Sequence, residues 1–278
     1  MARAAFPGQN GRIAFQSDRV GTDYEIYTMN ANGSGVQRLT HNHANDFRPS
    51  FSASGGEITF TSDRTGKSEI YVMNADGSGR HRLTEKPFFA IDPAFSPDGS
   101  EIVFSGERRR DDYSDIYAMT VNGTDRHRII RLPGNDWNPT YSPDGTKIAF
   151  ERVGHDIGVS LMNADGSGLQ DLTNHPRDDF SWWPNFSPDG GKIVYSRFRR
   201  YIPQIYVMNV DGSDQHELTD GGAAWRVGPV FSPDGSKIAY TRGLKQSDIY
   251  VMSADGSHKH NITPSSASEA LPDWGPRP

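Results

Sequence analysis

Asp92-Pro93-Ala94-Phe95-Ser96-Pro97-Asp98-Gly99-Ser100-Glu101-Ile102-Val103-Phe104 decides the fold. Two short apolar runs flank a Pro-Asp-Gly turn, in which proline fixes φ and glycine accepts φ > 0. Downstream, Asp115-Ile116-Tyr117-Ala118-Met119 alternates as a third strand. In the preceding copy a hairpin around Asp76-Gly77 leads to a short fourth strand, Arg82-Leu83-Thr84.

The same phrase recurs along the chain. Its first-strand prolines are Pro49, Pro93, Pro139, Pro184, Pro229 and Pro272, spaced 43 to 46 residues apart. A methionine column follows the same period (Met29, Met73, Met119, Met162, Met208, Met252), as does a turn-glycine column from Gly33 to Gly256. Four strands per repeat of this length is the signature of a propeller blade. The expected fold is therefore all-β, a six-bladed β-propeller of four-stranded blades forming a single domain over 1–278. Blade 1 spans 9–40 plus 269–275, and blades 2 to 6 span 46–84, 90–130, 136–173, 181–219 and 226–263. The first copy starts at its second strand, Gly11-Arg12-Ile13-Ala14-Phe15, and Glu269-Ala270-Leu271-Pro272-Asp273-Trp274 aligns with Asp46 to Phe51. The C-terminal strand is expected to complete the first blade, which removes the sheet edges an open array would expose.

Composition excludes several functions. The 278 residues contain no Cys, so thiol catalysis and Cys-ligated metal sites are ruled out. A net charge of −6 gives no positive field for nucleic acid. No apolar run approaches the roughly 18 residues of a membrane helix. The start, Met1-Ala2-Arg3-Ala4-Ala5-Phe6-Pro7-Gly8, reads as an exported (periplasmic or extracellular) chain whose signal peptide has been removed, the alternative being a cytoplasmic protein. A monomer is expected.

The repeats resemble the TolB-like, WD40-like (PD40) beta-propeller family, whose hallmark Phe-Ser-Pro-Asp-Gly stands at Phe95 to Gly99, Phe186 to Gly190 and Phe231 to Gly235, with Tyr141 to Gly145 as a variant. Ser17-Asp18-Arg19, Ser62-Asp63-Arg64 and the Met29-Asn30-Ala31-Asn32-Gly33 hairpin add to the likeness, which covers residues 9 to 275. Unlike TolB proper, these residues read as propeller from end to end. The resemblance implies a protein-binding module, as in the periplasmic Tol-Pal system, a sensor, a domain attached to a peptidase, or the scaffold of a polysaccharide lyase.

The two faces of such a ring differ in sequence. Turns between strands one and two, and three and four, are nearly constant, which assigns them a structural role. Loops on the opposite face vary in length and chemistry, and loops on a rigid scaffold concentrate binding residues. Four of the five tryptophans fall at or just before a first strand on that side. Trp137 and Trp182 share a column with Phe47, Ile91 and Val227, two residues before the proline, and read as packing positions. Trp183 and Trp225 stand outside it. They are ligand-binding candidates with Arg109, Arg200, Tyr201, Tyr113, Phe89 and Arg226, because aromatic faces beside arginine suit a protein, peptide or glycan.

No nucleophile motif is present, and no cofactor is expected. Glu107, Asp111, Asp112, Glu151, Asp178 and Asp179 offer carboxylates for glycoside chemistry, but beside arginines they read as solvated or ion-paired. His41, His43, His155 and His175 are the candidates for a divalent metal in the channel mouth. The expected function is non-catalytic binding on the variable face; the alternative is a secreted polysaccharide lyase or glycoside hydrolase. One blade breaks the pattern. The third-strand column reads Tyr27, Tyr71, Tyr117, Ser160, Tyr206 and Tyr250, so blade 4 lacks its aromatic and is expected either to be filled by a neighbour or to hold a ligand recess.

Overall fold

A computed structural model of the chain describes residues 6–85, 87–107, 113–154, 157–174, 179–199, 202–220, 222–243 and 246–278. Six four-stranded antiparallel sheets form the blades, with no α-helix among the described residues. The first strands are Asp46–Phe51, Phe89–Phe95, Asn135–Tyr141, Asp179–Phe186, Arg226–Phe231 and Glu269–Pro276. Each contacts the first strand of the blades on either side, so these strands are innermost and surround the axis. Closure is as the repeat arithmetic requires: Glu269–Pro276 pairs with Asn10–Ser17, placing Trp274 opposite Ile13 with only 1% of it exposed.

The constant turns hold their geometry through side chains. In Ser96-Pro97-Asp98-Gly99, the Ser96 hydroxyl donates to Asp98 Oδ1 at 2.6 Å and accepts the Glu101 amide at 2.9 Å. The Ser100 amide also donates to Asp98, at 3.0 Å, and Gly99 takes φ 72°. The same set recurs around Asp144, Asp189 and Asp234. The serine hydrogen bond, with the amide that follows, holds the Asp98, Asp144 and Asp189 carboxyls below their usual range. The recurring Leu-Thr phrase has a similar purpose. The hydroxyls of Thr40, Thr84, Thr173, Thr219 and Thr263 accept the amides of Ile26, Ile70, Val159, Ile205 and Ile249 at 2.8 to 2.9 Å, latching the short outer strand to the third.

Apolar second-strand residues fill the interfaces between blades. Phe15, Phe60, Phe104, Phe150, Tyr195 and Tyr240 are sealed, and one cluster joins Ala94, Val103 and Ile116 of blade 3 to Tyr141, Ile148 and Phe150 of blade 4. Each buried aromatic stabilises the ring by several kcal/mol, about 3 to 5 on truncation to alanine. Phe6 is buried in the cluster of blades 2 and 3, and the Gly8 amide donates to the Pro233 carbonyl of blade 6.

Candidate binding site at the inner rim

Every innermost strand carries a β-bulge at its proline. The residue before it has a left-handed backbone: Arg48 (φ 58°), Asp92 (59°), Asn138 (55°), Trp183 (56°), Gly228 (62°) and Leu271 (59°). Register breaks at the same place in all six, with two residues opposing one across the ladder. Five of these residues are not glycine, and a bulky side chain at positive φ is strained. The bulge turns an amide out of the ladder, and the preceding blade's second strand takes it. The amides of Arg48, Asn138, Gly228 and Leu271 donate to Gln16 Oε1, Ser105 Oγ, Ser196 Oγ and Thr241 Oγ1 at 2.7 to 3.2 Å. A polar second-strand column thus supports four of the six bulges.

The ring has two chemical halves. Across blades 2 to 4, Arg48 pairs with Asp92, and Asn138 Nδ2 donates to Glu151 Oε2 at 2.8 Å. Glu151 is 2% exposed, so the expectation of a solvated or ion-paired carboxylate is corrected. It is a second-strand residue facing the ring, covered by protein. Burial pushes its carboxyl from 4.5 up to about 7, against the opposing Asn138 hydrogen bond; the Asp92 charge adds to the rise and Arg48 subtracts. Asp179 does form its ion pair, bidentate to Arg197 at 2.7 and 2.9 Å.

Blades 5, 6 and 1 supply the apolar half. Trp183 is half-buried, edge-on to Trp182 at 5.5 Å and 6.4 Å from Phe198. Trp225, also half-buried, meets Phe198 edge-on at 5.5 Å, and Phe180 stacks on Trp182 at 6.1 Å. Gly228 and Leu271 continue the ring, so close that a Cβ on Gly228 would meet Leu271 Cδ2 at 2.9 Å. The column two residues before the proline is half-buried at Phe47, Ile91, Trp137 and Trp182 rather than sealed, because an innermost strand has one edge with no strand beyond it.

The structure therefore brings Trp183 and Trp225 together through Phe198. It does not bring the other described candidates into that group. Arg226 is buried, its guanidinium donating to Gln204 Oε1 at 2.8 Å and to the Ala224 carbonyl at 3.2 Å. Phe89 is half-buried opposite Glu107 at the start of its strand, and Tyr113 is 48% exposed. His41 and His43 are exposed. Arg109, Arg200, Tyr201, His155 and His175 lie outside the described residues. Among the described residues no three His, Asp or Glu side chains gather as metal ligands. Sequence reasoning passed over Arg48, Asp92 and Asn138, because what is constant before each proline is backbone shape, not residue type.

A cavity of about 710 Å³ opens on the constant face, between Ser187-Pro188-Asp189 of blade 5 and Asp234-Gly235 of blade 6. A smaller one, about 470 Å³, lies between the equivalent turns of blades 3 and 4. Recurrence at equivalent positions marks both as products of the repeat geometry.

Six blades closed by the C-terminal strand, with a polar and an aromatic half on the innermost strands, define a six-bladed β-propeller. The chain belongs to the TolB beta propeller domain family, which matches residues 2–89, 79–156 and 156–277. Among solved structures it is similar to TolB from Acinetobacter baumannii, with a TM-score of 0.83 and 22% identity over 98% of this chain and 68% of that one. Hydrazine synthase of Kuenenia stuttgartiensis gives a TM-score of 0.80 at 16% identity, over 98% of this chain and 48% of that one. An oligogalacturonate lyase in complex with manganese gives 0.63 at 16% identity, over 92% and 75%. At these identities the likeness is one of fold. No curated protein sequence matches the chain.

Proposed function

We propose that this propeller is a non-catalytic binding module that takes a segment of a partner protein or peptide over the variable face and inner rim. The observation that carries the reading is the division of the rim: an Arg48–Asp92 pair and Asn138 on one side, and Trp183, Trp225 and Leu271 on the other. A segment with both apolar and hydrogen-bonding groups finds complementary surface there, and aromatic anchors on a rigid scaffold are where binding energy concentrates. The constant face, by contrast, repeats one turn around the ring. The family resemblance supports a site of action outside the cytoplasm, and the protein is taken to act as a monomer.

A glycan ligand fits the same aromatic surface and is an outcome of the test. Partners captured from extracts of the source cells are identified, and hydrogen exchange is measured with each bound. Protection at Trp183, Trp225 and the loops around them supports the proposal. Protection confined to the Pro-Asp-Gly turns would refute it, and turnover of oligogalacturonate by the purified protein would replace it with the enzyme reading.

A further inference from the structure

Blades 1 and 2 contain a unit that blade 4 has lost. In blade 2, Arg64 Nη2 donates to both oxygens of Asp46 at 2.8 and 2.9 Å, and its Nε donates to Ser62 Oγ at 2.8 Å. The guanidinium lies 4.4 Å from the centre of the Tyr71 ring. Blade 1 repeats this with Arg19 on Glu269 at 2.7 Å and 5.2 Å from the centre of Tyr27. Each buried first-strand carboxylate thus has its own arginine, sandwiched against the third-strand tyrosine.

In blade 4 the carboxylate remains and both of its companions are gone. Asp136 occupies the position of Asp46, three residues before the proline, and is 1% exposed. Gly154 stands where Arg64 does, two residues beyond the position paired with that carboxylate, and Ser160 stands where Tyr71 does. A recess of about 180 Å³ results, walled by Arg152, Gly154, Gly158, Ser160, Asp171 and Thr173. This is the recess that loss of the aromatic made one of two expectations.

Asp136 lies behind this wall, paired across the first two strands with Arg152, which lines the recess. Neither of its oxygens has a hydrogen-bond partner among the described residues, which is costly for a buried carboxylate. Arg152 is drawn outward to Asp171 Oδ1 at 3.4 Å, and Ser160 Oγ donates to the same oxygen at 2.7 Å. Burial pushes the Asp136 carboxyl up to about 7; Arg152 opposes the rise, and Asp115 and Asp171 add to it. Among the described residues Arg152 thus serves Asp171 and leaves Asp136 without a hydrogen-bonded cation.

We infer that the blade 4 recess is a binding site for a guanidinium group, in which an arginine side chain of a partner polypeptide takes the place that Arg64 holds in blade 2. The site shares strands with Asn138 and Glu151 but uses none of the inner-rim residues, so it is tested separately from what the rim binds. Guanidinium suits it better than ammonium because the model for its occupant is planar: a fork of donors divided between a carboxylate and a hydroxyl, as Arg64 divides its own.

The experiment titrates the full chain, isotope-labelled, with N-acetyl-arginine methylamide and with its uncharged isostere N-acetyl-citrulline methylamide. Saturable shifts of the Gly154, Gly158, Ser160 and Thr173 amides with the arginine compound alone are expected. Asp136→Asn should weaken them about tenfold, the effect of removing one charge-assisted partner. A second variant restores the lost unit. A Cβ at Gly154 meets nothing within 4 Å, so Gly154→Arg combined with Ser160→Tyr has room to rebuild the blade 2 arrangement. That variant should raise Tm and abolish the titration. Equal binding of the citrulline compound, full binding by Asp136→Asn, full binding by a folded double variant, or no shift in the wild type at millimolar arginine compound would each overturn the site.

Discussion

Glu151→Gln isolates the electrostatic cost of the inner rim. Glu151 is 2% exposed and its carboxyl titrates near 7, against 4.5 when unperturbed. Between those values the folded chain retains a proton that the unfolded chain has released. Stability therefore falls as pH rises from 4.5 to 7 and stays lowered above it. The upward shift, taken at 1.36 kcal/mol per unit, puts that loss at about 3 kcal/mol. Glutamine matches the neutral acid in shape and still offers an oxygen to Asn138, so the variant should match wild type at pH 5 and exceed it at pH 8. A urea m value of about 3 kcal/mol per molar would convert the pH 8 difference into a midpoint shift of about 1 M. Asp136 titrates in the same window, but it is present in both proteins and cancels from their difference. The assay is urea unfolding of both proteins at half-unit steps from pH 5 to 8. A stability difference that does not change across the series would refute the assignment of a buried, proton-holding carboxyl.

Truncation after Ser268 removes the strand that pairs with Asn10–Ser17, together with the Arg19 partner Glu269; loss of the sealed Trp274 by itself costs about 3 to 5 kcal/mol, so a markedly lower Tm is expected and an unchanged Tm would refute ring closure by this strand. Trp183→Ala and Trp225→Ala should each lower partner affinity at least tenfold while costing about 1 kcal/mol of stability through lost edge contacts with Phe198; full affinity in both would remove the inner rim from recognition. Asp98→Ala and Asp234→Ala should show the reverse, losing about 1 kcal/mol each as the turn serine and following amide lose their acceptor, with partner affinity unchanged in the same titration.

Much of the fold was legible because the repeat reports on local physics. Pro-Asp-Gly marks a turn wherever it occurs, alternating apolar residues mark a half-buried strand, and six in-phase copies leave few architectures that bury every copy equally. The closing strand was readable for the same reason, since Pro272 and Trp274 fall in columns already defined. The break at Ser160 was visible as a missing aromatic. The rest depended on side chains that meet across blades. Nothing in the sequence pairs Arg48 with Asp92, because ring geometry brings these adjacent blades together, and Asn138 meets Glu151 within blade 4 only because the bulge shifts the register there. The left-handed bulge before each proline was hidden too: Arg, Asp, Asn, Trp, Gly and Leu share no chemistry, and in four of the blades it is a side chain of the neighbouring blade that accepts the freed amide. Asp136 reads in sequence as one more acidic residue of a loop. The sequence puts Gly154 where blade 2 has Arg64, but only the tertiary structure shows that Asp136 is buried with no hydrogen-bond partner among the described residues, so that water cannot replace that arginine.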